Sequence, residues 1–204
     1  MAFSRLVDIG IVGAINSSLL LVILVRMVVG RRTRPPARTD SAGTVTAPRA
    51  DAVLVAATAS MVIYYLVFGA WVIRPSLAGP YLADPRPWSA SVGIVLALLS
   101  TALIVWAFTV FASWRLRAEI DENHELMTEG PFGLVRHPIY TGLVGVYAST
   151  LFVVPTVGFL IAVVLIAVVH DYRARTEEGV LRSVFGNRYT SYIGHTKRFV
   201  PGVY

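Results

Sequence analysis

The chain has 204 residues, 55% of them hydrophobic and 15% charged, with a formal net charge of +6 and no cysteine. That length suits one domain, and the long uncharged apolar runs make it an integral membrane protein rather than a basic nucleic-acid binder. Disulfides, thiol catalysis and thiolate zinc sites are excluded, and four histidines without HExxH spacing give no metal site.

In chain order, apolar runs at 6–29, 52–73 and 90–112 each approach the ~20 residues a helical span needs. The first is too long for a signal-peptide core, has only Arg5 before it, and ends in Gly30-Arg31-Arg32 without a small-residue cleavage site, so it reads as a retained span. Asn16, Ser17 and Ser18 within it are expected to hydrogen-bond a neighbouring helix. The loop 30–51 is rich in arginine and proline, without periodicity, and suits contact with anionic lipid headgroups. Arg26, Arg31, Arg32, Arg34, Arg38 and Arg49 flank or fill it, whereas the loop after the second span has only Arg74 and Arg86 against Asp84. The positive-inside rule therefore puts the first loop in the cytoplasm, the N-terminus outside, and everything from residue 115 onward inside. Trp71, Tyr81 and Trp88 are expected to mark the outer interface.

The fourth apolar run, 139–169, is interrupted at Pro155 and Gly158, so it reads as two helices joined by a tight turn. The fold class that follows is an all-α integral membrane protein of five transmembrane helices, the last two a helical hairpin. Between the third span and the hairpin, Glu119, Asp121, Glu122 and Glu125 look like a solvated helix face. After the hairpin, 170–184 continues as a cytoplasmic helix ended at Gly186, and the tail 189–204, with KRFVPG, is expected to fold back and close a pocket. Two regions result: 1–114, with three spans and the basic loop 30–51, and 115–204, a catalytic region including the hairpin 139–170.

Polar chemistry gathers at both ends of the hairpin. In EGPFGLVRHPIY (129–140), Pro138 suits the first turn of a helix, and the helix start beside Arg136 and His137 is an anion-friendly place. A snorkelling arginine and a capping or buried histidine explain that spacing equally well. On the far arm, His170, Arg173, Glu177 and Leu181 recur at three and four residues and share a face. A plain Arg173–Glu177 ion pair would be worth only ~0.3–0.5 kcal/mol, and the acidic residue is in the less favourable C-terminal position. Ionisable residues at the mouth of a membrane cavity are more often functional.

These motifs carry a resemblance. HELMTEGPFGLVRHPIYTG, followed about thirty residues later by RARTEEGVLRSVFGNRYTSYIGHTKRFVP, resembles the isoprenylcysteine carboxyl methyltransferase family, which is related to phospholipid N-methyltransferases. The match covers roughly 115–201, and RHPxY, a hairpin, RxxxEE, FGxxY and a terminal RxxP in order make it specific. The resemblance implies an intramembrane enzyme using S-adenosylmethionine from a cytoplasmic pocket on a lipophilic or lipidated carboxylate, giving a methyl ester. It implies cofactor contacts at His124, Glu125, Leu126, Met127, Phe132, His137, Pro138, Ile139, Tyr140 and Glu177. It puts the substrate-carboxylate arginine at Arg173, with Arg136 and Arg198 as further basic positions. Phe132 stands where the family has tyrosine, and Arg117 where the eukaryotic enzyme has a neutral contact. Rival readings are amine N-methylation, which Arg173 and Arg136 disfavour, an NADPH-dependent membrane reductase and a non-enzymatic scaffold. No glycine-rich fingerprint follows a strand, which excludes a soluble Rossmann-type methyltransferase.

Overall fold

The structure, a computed structural model, describes residues 2–32, 45–46, 50–85, 87–110, 119–120 and 126–204. Among these, the chain forms helices α1 (Ala2–Arg32), α2 (Ala50–Ile73), α3 (Pro87–Val110), α4 (Pro131–Leu134), α5 (Pro138–Val153), α6 (Val157–Phe185) and α7 (Asn187–His195), with a 3-10 turn at Pro75–Ala78. Two-residue strands β1 (Val45–Thr46) and β2 (Glu119–Ile120) pair antiparallel, Val45 opposite Ile120. Helices α1, α2, α3 and α6 are each long and apolar enough to cross a membrane, which makes this an all-helical integral membrane protein.

The hairpin breaks where Pro155 requires it. Helix α5 ends at Val153, and the residue before the proline, Val154, has left the helical region at φ −133° and ψ 80°, with its N–H donating to Thr150 O at 2.7 Å. The turn is pinned to the α2–α3 connection: Leu82 N–H donates to Pro155 O at 2.7 Å, and Val157 N–H to Pro80 O at 3.1 Å. Gly158 belongs there because a Cβ would stand 2.6 Å from Ala78 O.

The two arms differ in reach. With 16 residues, α5 is about 24 Å long at 1.5 Å per residue, short of a ~30 Å hydrocarbon core. Helix α6, with 29 residues, is about 43 Å long and passes well beyond the start of α5. One arm thus overhangs the other at the end opposite the turn.

Helix α5 packs against α3 and α6 against α2. Tyr64 of α2 joins the layers, its hydroxyl 2.6 Å from Thr150 Oγ1 of α5 and accepting from Asn16 Nδ2 of α1 at 3.3 Å. Asn16 thus bridges helices as expected, whereas Ser18 donates within its own helix, to Ile15 O at 2.8 Å, the usual outlet for a helical hydroxyl without a polar neighbour. Trp71 also departs from expectation. It is buried against Phe68 and Phe159, with Nε1 donating to Tyr81 OH at 3.4 Å, while Trp88 remains exposed like an interfacial anchor. Finally, the tail contains a helix, α7, that composition did not announce. Nine mixed residues carry no apolar run, yet burial of Tyr189 holds the segment to the fold.

Candidate active site

The site forms at the overhang. Gly130 adopts φ +59°, and a Cβ there would lie 3.2 Å from Val110 of α3. This turn starts α4, after which Val135 is extended and pairs in parallel with Lys197 of the tail. Arg136 N–H donates to Lys197 O at 2.8 Å and His137 N–H to Arg198 O at 3.1 Å. Thr141 Oγ1 then donates to Phe199 O at 3.0 Å. The tail is therefore stitched backbone to backbone along the segment carrying Arg136 and His137. Pro138 occupies the first turn of α5, where its missing N–H leaves no bond unmade.

Helix α6 faces this segment with two adjacent carboxylates. Glu178, 3% exposed, accepts from Arg136 Nε at 2.9 Å and from Arg198 Nε and NH2 at 2.9 and 3.0 Å. His137 Nε2 lies 3.3 Å from the same Oε1 atom. Arg136 NH1 also donates to Thr196 O. The fork-like pairing of Arg198 with both Glu178 oxygens holds that guanidinium further above the usual arginine range. Arg198 NH1 continues outward to Asp171 Oδ1 at 3.1 Å and to Tyr204 OH at 2.8 Å.

Glu177 serves a different face. It accepts from Arg173 Nε at 3.1 Å and from Tyr140 OH at 2.5 Å, and its Oε2 lies 3.7 Å from His137 Nδ1. Arg173 is 6% exposed, and its guanidinium lies 5.2 Å from the centre of the Tyr140 ring. The Tyr140 and His137 rings stack 5.5 Å apart at 6°. The expected residues Arg136, His137, Tyr140, Arg173, Glu177 and Arg198 thus meet in one connected cluster. Pro138 and Ile139 are buried in the first turn of α5, and Phe132 in α4, its carbonyl accepting from Tyr192 OH at 2.6 Å. Burial pushes the phenols of Tyr189 and Tyr192 up, so both stay neutral. Leu126 and Met127 are half-buried, Met127 against the apolar core, and His124 and Glu125 lie outside the described residues. Spacing pointed to the face 170/173/177 and passed over Asp171 and Glu178, which line the neighbouring face turned to the tail.

Two comparisons bear on this arrangement. A family model described as phospholipid methyltransferase matches residues 88–188, from α3 through the start of α7. Protein-S-isoprenylcysteine O-methyltransferase B of Arabidopsis thaliana is 28% identical over 123 residues, covering 57% of this chain and 61% of that protein. Both similarities are to membrane methyltransferases. The chain spans less than two thirds of the length of the curated relative it matches.

The donor set of this site fits a zwitterionic, sulfonium-bearing cofactor. The Glu177 carboxylate keeps a fifth of its side-chain surface open, enough to meet a cation, and the Tyr140 and His137 rings add π surface beside it. Arg173 offers the complementary positive charge for a carboxylate one helical turn away.

Proposed function

We propose that the chain is an integral membrane methyltransferase that uses S-adenosylmethionine to turn a lipophilic, isoprenoid-type carboxylate into its methyl ester. The observation that carries this reading is Arg173, a buried guanidinium directed by Glu177 and Tyr140 at the mouth of an apolar hairpin. Bound beside Glu177, S-adenosylmethionine supplies an electrophilic methyl group on a positively charged sulfur. A carboxylate acceptor is already the nucleophile, so the chain's own residues need to position it and exclude water rather than remove a proton. Arg173 holds the acceptor by charge-assisted hydrogen bonds, while Glu177, Tyr140, His137 and the half-buried Met127 line the cofactor side. Arg136 and Arg198, both bonded to Glu178, act by fixing the His137 segment and the tail. In this reading α5 is the fifth span, the overhang faces the cytoplasm, and the lipid tail of the acceptor enters between the helices.

A second reading, N-methylation of an amine headgroup, is favoured by the family model matching residues 88–188. The buried Arg173 opposes it, because a cation disfavours an ammonium-bearing acceptor. Calorimetric titration of the detergent-solubilised protein with S-adenosylmethionine, with NADPH as comparison, tests the cofactor. Turnover of a prenylated carboxylic acid against phosphatidylethanolamine then tests the acceptor. Binding of NADPH alone would point to a reductase, and binding of neither by folded protein to a scaffold.

A further inference from the structure

On α6 the exposed residues Ile161, Val164, Val168, Tyr172 and Arg175 follow one another at three and four residues, so one stripe runs off the end of the apolar span. Arg175 lies about 10 Å beyond Val168 along the axis, and a headgroup layer is roughly 5–8 Å thick, so a snorkelling side chain reaches it. The tail meets the stripe at this level. Tyr204 OH donates to Asp171 Oδ1 at 3.0 Å and accepts from Arg175 NH2 at 2.6 Å. Just before it, Pro201 and Gly202, the latter at φ +75°, make a tight turn closed by Val203 N–H donating to Val200 O at 3.1 Å. That turn holds Val200 and Val203 exposed, as are Tyr172 and Tyr204. Among the described residues Arg136, Arg175 and Arg198 pair with Asp171 and Glu178, three positive charges against two negative, and Arg175, 56% exposed, is the most open of the three. A solvated Asp171–Arg175 pair accounts for the charges, but not for two valines held out beside them.

We propose that this edge binds the headgroup of an anionic phospholipid, with Arg175 on the phosphate, Tyr172 and Tyr204 at the interface, and the Val200–Val203 turn at the acyl boundary. Continuity with the lipid-facing stripe of α6 and the excess positive charge select an anionic lipid, because a soluble phosphate has no use for the valines. The bound lipid has a consequence for the tail. Asp171, which Arg175 and Tyr204 hold, also accepts from Arg198 NH1 at 3.1 Å, and Arg198 continues to Glu178 and, through its carbonyl, to His137 N–H. A headgroup on Arg175 thus fastens, from the membrane side, the strap that lies along Arg136 and His137. This holds whichever acceptor is methylated.

Native mass spectrometry of the full chain in detergent, titrated with phosphatidylglycerol or phosphatidylcholine, reads the headgroup. The parent is expected to bind phosphatidylglycerol more tightly, and R175Q to weaken that binding about fivefold, the factor one cation contributes at an anionic surface. R175K is expected to keep most of the affinity, and R182Q, about two turns further from the span, all of it. Depth is read in nanodiscs from a nitroxide on Val203→Cys, with one on Ser191→Cys of α7 as the aqueous reference in a chain that has no other thiol. The label at 203 is expected to be shielded severalfold from a water-soluble relaxant relative to the label at 191. Unchanged affinity in R175Q, an equal loss in R182Q, or equal exposure of the two nitroxides overturns the proposal. Soluble glycerophosphoglycerol competing as strongly as the lipid assigns the site to a free anion and overturns it too. Should R175Q fail to fold, the parent's preference between the two lipids and the depth of the label at 203 carry the decision. Neither readout uses cofactor or acceptor, so failure of the methyltransferase reading is distinguishable from failure of this one.

Discussion

Glu177 and Glu178 are consecutive, yet about 100° of helix rotation gives them different work. Glu177 bonds Arg173 and Tyr140 within the space between α5 and α6, whereas Glu178 binds Arg136 and Arg198 and ties α6 to the tail. Their substitutions should therefore separate. Glu177→Ala is expected to leave the melting temperature near that of the parent and weaken S-adenosylmethionine binding at least tenfold by titration. Cofactor affinity equal to the parent's would remove Glu177 from the cofactor site. Glu178→Ala strips the shared partner from two partly buried guanidiniums, and breaking such a cluster typically costs about 3–5 kcal/mol. Denaturation in mixed micelles should show that loss, and a change below about 1 kcal/mol would mean that water replaces the carboxylate. Arg173→Lys keeps the charge but loses the planar fork, so kcat/KM for a carboxylic acceptor should fall, with Arg173→Ala lower still, by about 100-fold or more. The spacing of His170, Arg173 and Glu177 was legible because it is local to one helix. Glu178 was not, because its partners lie 42 residues before it and 20 after it, and no periodicity reports a contact made by a returning tail.

Among the elements, the long spans were readable from hydropathy and the hairpin turn from Pro155, since both depend on composition within a window. The closeness of α3 and α5 depends on pairs of residues in different windows. Gly142 and Gly145 sit on one face of α5, and added Cβ atoms would stand 2.8 Å from Ser100 O and 2.2 Å from Ser100 Oγ respectively. At Gly142 a Cβ would also come within 2.4 Å of Ile104 Cγ1. The two sites differ in what must yield: backbone and a buried isoleucine at Gly142, a rotatable hydroxyl at Gly145. Gly142→Ala should accordingly destabilise by about 1–3 kcal/mol, the usual range for overpacking, and Gly145→Ala by less. Thermal melting of both variants checks the order, and the reverse order would mean that α3 and α5 meet at another register. Because α5 starts the segment that holds His137 and Tyr140, Gly142→Ala is also expected to lower turnover through displacement of those rings.

For the whole molecule, the connections at its two ends differ in kind. One end joins the hairpin turn to the α2–α3 loop through Leu82, Pro80 and Pro155, with no ionic cluster at that junction among the described residues. The other gathers Arg136, Arg173, Arg175 and Arg198 with Asp171, Glu177 and Glu178 where α6 overhangs α5. In the proposed reading the water-soluble cofactor arrives at the end that carries these seven formal charges, and the positive-inside rule, applied to the arginines of the first loop, predicts that this end faces the cytoplasm. A chain without cysteine allows a direct test, since any introduced thiol is the sole target of a maleimide. Ser76, exposed in the 3-10 turn, and Ser191, exposed on α7, lie at the opposite ends. In intact cells an impermeant maleimide is expected to label Ser76→Cys readily and to reach Ser191→Cys only after the membrane is opened. The opposite pattern would place the charged overhang outside, away from intracellular S-adenosylmethionine. It would overturn the predicted orientation and, with it, the proposed route of the cofactor to Glu177.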